Sequence, residues 1–160
     1  MWASWQAPQL TVGFFGILFS VNGLMVVLLQ IPLRMGTTKI GPAKAFIIAQ
    51  TLYAAGFTSF MFATTFLHFL GGAAVLTLGE IVFVPASLAF VANLAPADMR
   101  GRYMAMAGLF SGIGGSAGSQ IAFSIFGALS DKRLTWGILG IIGFTTSFGY
   151  VLLYRATRAR

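Results

Sequence analysis

Across 160 residues, 58 % are hydrophobic and 8 % charged, and the mean hydropathy is +0.88, a balance that in a water-soluble domain would leave far too much apolar surface exposed. The formal net charge of +7 comes from ten Lys and Arg confined to short gaps and the C-terminal end, so it reads as membrane topology and not as a nucleic-acid surface. The absence of cysteine excludes a disulfide and a thiolate metal site.

In chain order, residues 1–10 carry neither a basic n-region nor a small-residue cleavage pattern, so no signal peptide is expected, and Trp2 and Trp5 suit a membrane interface. Residues 10–33 are uncharged and as a helix would be about 36 Å long, enough to cross a hydrocarbon core of about 30 Å with some tilt. Residues 45–97 carry one formal charge, Glu80, and a single helix of that length would reach about 80 Å, so two helices are predicted, near 45–65 and 70–95. The reversal is expected within 64–72, where Thr64, Thr65, His68, Gly71 and Gly72 collect. Uncharged stretches at 103–130 and 134–154 supply a fourth and a fifth span, giving one all-α membrane domain over 1–160. With the N terminus outside, eight basic residues lie in the cytoplasm and only Lys132 and Arg133 outside, which favours an N-out, C-in orientation.

Chemistry-bearing residues are few. One His, no Cys and three carboxylates (Glu80, Asp98, Asp131), spread between a membrane interior and two faces, form no triad or metal cluster. There is also no phosphate loop, so neither an enzyme nor a cofactor is expected. Glu80 is the most informative residue, because a carboxylate near mid-span costs about 2.5–3.5 kcal/mol on insertion scales and turns toward protein or water. Two readings stand together: a substrate or proton site, or a partner locking two helices. Pro85 follows on the same span and removes a backbone donor, so a weakened turn is expected beside the carboxylate. Asn22, Gln30, Gln50 and Gln120 are amides that need partners inside a bilayer; each could line a pathway or join helices. His68, in the expected turn, reads as interfacial.

Gly112, Gly114, Gly115 and Gly118 follow no strand and lie within an uncharged span, which excludes a phosphate loop. Gly108 with Gly112, Gly114 with Gly118, and Gly115 with Ser119 are small residues four apart, suited to close helix approach, whether static or able to slide. Before that span, Pro96 ends one helix, Asp98 complements the next helix dipole, and Arg100, Gly101 and Arg102 face the cytoplasm.

Taken in order, these pieces resemble the C-terminal half of a major facilitator superfamily transporter, of the drug:proton antiporter-like branch. Asn22-Gly23-Leu24 through Gln30-Ile31-Pro32 resembles that family's eighth helix, and Gly79-Glu80 followed by Pro85 its tenth. The loop with Pro96, Arg100, Gly101 and Tyr103 is similar to the connection to helix eleven, Gly108 to Gly118 resembles helix eleven, and Trp136 opens a twelfth. Of the family's Asp-Arg-x-Gly loop after helix eight, Arg34, Gly36, Lys39 and Gly41 remain without the Asp. The resemblance implies a secondary carrier that moves a small solute by alternating access, with protons as a candidate coupling ion through Glu80 and Asn22, Gln30 and Gln120 beside the cavity. Gly108, Gly112, Gly115, Gly118 and Pro85 would then serve packing and gating, and Pro96, Arg100 and Gly101 the cytoplasmic loop. It also implies a bacterial inner membrane and a partner in the missing N-terminal half or another membrane chain, since five helices enclose no cavity. Two alternatives remain: a non-transporting membrane protein that packs on a partner, and a five-helix carrier half that dimerises.

Overall fold

A computed structural model describes residues 12–158, and among them it has five helices and no strand. The helices are α1 (Val12–Ile40), α2 (Pro42–Met61), α3 (Phe66–Leu94), α4 (Arg100–Ala128) and α5 (Arg133–Arg158). The chain is thus an all-α membrane fold. Trp2, Trp5, the first two residues of the expected first span and Arg160 lie outside the described residues. By length and composition alone, Gly13–Ile40, Phe66–Leu94 and Arg133–Leu152 are long and apolar enough to cross a membrane. Lys44, Gln50 and several hydroxyls dilute α2, and a series of Gly and Ser dilutes α4.

Two connections differ from the sequence expectation. Helix α1 runs on through Arg34, Gly36 and Lys39 to Ile40, with the Thr37 and Thr38 hydroxyls donating to the Arg34 and Met35 carbonyls one turn back. The chain then reverses on the single residue Gly41, whose φ of 83° is a conformation that favours glycine, and Pro42 opens α2. The next reversal occupies only residues 62–65. Thr65 caps α3 by accepting from the His68 amide, and the Thr64 amide donates to His68 Nδ1, while Gly71 and Gly72 lie inside the helix. Farther on, Asp131 Oδ1 accepts from the Arg133 amide at the start of α5. Lys132 Nζ donates to the Phe126 and Leu129 carbonyls, each at 2.7 Å, and so closes the end of α4.

Helix α2 lies at the centre, antiparallel to α3 on one side and α5 on the other, and α1 packs on α3. Small residues set these approaches: Gly56 accommodates Leu76, Gly72 accommodates Ser59 and Phe60, Gly140 meets Thr58, and Gly143 meets Ala54. At Gly79 an added Cβ would come within 3.1 Å of both the Ala49 carbonyl oxygen and the Tyr53 amide nitrogen, so backbone opposes backbone there. Aromatic rings fill the remaining space. Phe46 meets Phe83 at 5.1 Å and Tyr150 edge-on at 4.4 Å, and Phe60 meets Trp136 edge-on at 5.2 Å. A Thr51–Ser147 hydroxyl pair at 2.9 Å, with Ser147 buried, joins α2 to α5.

Helix α4 stands apart. It has no buried residue, it packs far less on α3 and α5 than α2 does, and nothing lies within 4 Å of a Cβ placed on Gly108, Gly112, Gly114, Gly115 or Gly118. Within this chain, close approach through glycine therefore belongs to α2 and its neighbours. Replacing Gly79 by Val should cost about 1–3 kcal/mol in a reversible SDS-unfolding titration of the purified chain, whereas Gly112→Val should change it by less than about 0.5 kcal/mol.

Candidate functional site

Glu80 occupies the middle of α3, fifteenth of its 29 residues, with its side chain exposed on the same stripe as Val84 and Leu88. The Lys and Arg among the described residues fall at or near helix ends, at 34, 39, 44, 100, 102, 132, 133, 155 and 158, so no cation among them shares its level. Its polar company comes from α1. Asn22 Nδ2 donates to Glu80 Oε2 at 3.4 Å and to Thr77 Oγ1 at 2.8 Å. Thr77 and Glu80 are three residues apart and therefore share one face of α3. The Thr77 hydroxyl donates back to the Ala73 carbonyl at 2.8 Å, which leaves its lone pairs for Asn22. Thr77 is 2 % exposed, so this cross-helix bond lies in the α1–α3 seam, while the carboxylate stands at the rim of that seam.

Asn22 and Glu80, two of the residues singled out from sequence, are thus brought together. Gln30 follows Asn22 by eight residues, about 12 Å along α1, and is exposed; Gln120 is exposed on α4; Gln50 is half-buried on α2. Pro85 is half-buried within a continuous α3 and has no N–H to give the Ile81 carbonyl. Pro32 interrupts the same ladder in α1. Pro96 lies in the connection from α3, while Arg100 and Gly101 already belong to α4, which begins after Met99 without a side-chain cap. The sequence reading missed Thr77. Its signal was a hydroxyl one turn before the carboxylate, on the face that a neighbouring helix must cover.

A model of the Major Facilitator Superfamily matches residues 3–160. Over 100 residues, 62 % of this chain and 24 % of the relative, the chain is 35 % identical to a Na(+), Li(+), K(+)/H(+) antiporter of Planococcus maritimus. It is 28 % identical over 148 residues to an uncharacterized MFS-type transporter, YdeE, of Escherichia coli K12, covering 90 % of this chain and 35 % of that protein. It is 35 % identical over 88 residues to the multidrug resistance protein MdtH of Salmonella paratyphi B, covering 52 % and 22 %. The chain spans between about a fifth and about a third of the length of these relatives. No solved structure matches it.

The Asn22–Thr77 bond should give a coupling energy of about 0.6 kcal/mol in a double-mutant cycle of Asn22→Ala and Thr77→Val, read by SDS-unfolding of the purified chain.

Proposed function

The chain belongs to the Major Facilitator Superfamily, and on that premise we propose that it is the part of a secondary carrier that holds the coupling residue, with Glu80 exchanging protons as a small solute moves by alternating access. Membership of a transporter family, with an antiporter and a multidrug resistance protein among the relatives, supports membrane transport. The observation that carries the finer reading is the position of Glu80: mid-helix, on an open face, with no basic neighbour at its level among the described residues and a tie to a second helix through Asn22. A charge so placed does not face lipid at equilibrium, so the open stripe of α3 is the wall of a cavity that other helices complete. We propose that those helices, on the same polypeptide or a partner, also cover the glycine face of α4, where nothing in this chain packs. Gln30 and Gln120 are secondary pathway residues, Pro85 and the α4 glycines serve the rocking motion, and the loop around Pro96, Arg100 and Gly101 faces the cytoplasm of a bacterial inner membrane. The substrates are small solutes of the classes named for the relatives, alkali cations or drugs.

A second reading is favoured by the bare glycine face of α4: a non-transporting chain that docks there on a partner. Crosslinking in native membranes would capture that partner, with no solute flux.

The test uses everted membrane vesicles containing the complete carrier, a ΔpH-sensitive dye, and Na+, Li+, K+ and ethidium as probes. Glu80→Gln should abolish the pH dependence of exchange and lower its rate by at least about tenfold, a range within what one positioned proton-transfer group contributes. Unchanged pH dependence with unchanged turnover removes Glu80 from coupling.

A further inference from the structure

We infer that Asn22, Thr77 and Glu80 form a binding site for a monovalent hard cation, with the Asn22 amide as its movable ligand. The inference rests on the carrier reading for its role but not for its chemistry. The Asn22 nitrogen and its two partially positive hydrogens sit between Thr77 Oγ1 at 2.8 Å and Glu80 Oε2 at 3.4 Å. That is the point from which a bare cation would bridge the same two oxygens. Half a turn about the amide's own Cβ–Cγ bond withdraws the nitrogen and presents Oδ1 instead, so the cation would meet a carboxylate, a hydroxyl and an amide carbonyl. All three are oxygen donors, the set that suits hard cations and not thiophilic metals. The Thr77 hydroxyl is committed as a donor to the Ala73 carbonyl, so its lone pairs are directed to the site whether the amide or a cation is there.

Charge fixes the valence. The site has one carboxylate, and the other two acids of the chain, Asp98 and Asp131, lie in the connections before α4 and α5, so a divalent ion would retain an unbalanced charge within the bilayer. A monovalent ion balances Glu80, which no Lys or Arg among the described residues does at that level.

The test needs no transport substrate. The complete carrier containing these 160 residues, purified into phosphatidylcholine nanodiscs, is equilibrated with radioactive Na+, and LiCl and KCl serve as competitors. The expected result is one saturable site per chain that Glu80→Gln removes. Thr77→Val and Asn22→Leu should each raise the half-saturating concentration about tenfold. Thr145→Val, whose hydroxyl bonds only its own helix at Ile141, should leave it unchanged. Circular dichroism and a monodisperse elution profile establish that each variant is folded. Binding of Na+, Li+ and K+ no greater than in Glu80→Gln overturns the inference. So does binding lost in Glu80→Gln but kept at wild-type strength in both Thr77→Val and Asn22→Leu, because the charge alone would then account for it. Loss of pH coupling in Glu80→Gln without saturable cation binding sinks this inference and leaves the carrier reading standing. Saturable binding with coupling intact in Glu80→Gln does the reverse.

Discussion

Everything else in the fold depends on how closely the backbone of α2 can approach its neighbours. Lipid offers no hydrophobic reward for bringing helices together, so association relies on van der Waals fit and on polar groups that would otherwise lack partners. Glycine at 56 and 72 makes room for Leu76, Ser59 and Phe60 between α2 and α3, and at Gly79 the two backbones meet; glycine at 137, 140 and 143 gives α5 the same closeness to Met61, Thr58 and Ala54 of α2. The Phe46, Phe60 and Trp136 rings then fill the flanks of a seam whose width is already set. Because α3 is fixed in this way on one side, its opposite side has a defined direction, and that side carries Thr77 toward α1 and Glu80 toward open space.

The two sides of α3 therefore have different physical jobs. One is apolar, tightly filled and insensitive to charge. The other holds an acid, a hydroxyl and an amide from α1, groups whose mutual arrangement changes with whatever neutralises the acid. Pro85 weakens the hydrogen-bond ladder a little over one turn beyond Glu80, and Pro32 does so in α1. Rigid packing and adjustable polarity thus share one helix without sharing a face.

The number of helices and the prominence of Glu80 were legible in the sequence because both depend on charge, which a bilayer sorts severely. The continuation of α1 to Ile40 was not, because Arg34, Gly36 and Lys39 look like a loop when only hydropathy is followed. The back-bonding hydroxyls of Thr37 and Thr38 and the positive φ at Gly41 make it a helix with a sharp corner. The family resemblance drawn from Gly79-Glu80, Pro85 and the Pro96 loop agrees with the family match across residues 3–160. Glycine was the least legible feature. Spacing of four marks where a helix permits close approach but not which helix arrives, so the conspicuous row on α4 stands bare in this chain while the scattered Gly56, Gly79 and Gly140 are the ones in contact. Thr77 escaped notice for a similar reason, since a hydroxyl gains meaning only when Asn22 faces it.

The corner at Gly41 gives α1 a mechanical character. From the Asn22 tie to α3, α1 runs eighteen residues, about 27 Å, to that corner at its Ile40 end. With only one residue between α1 and α2, a displacement of the Ile40 end has almost no slack in which to dissipate before it reaches the central helix.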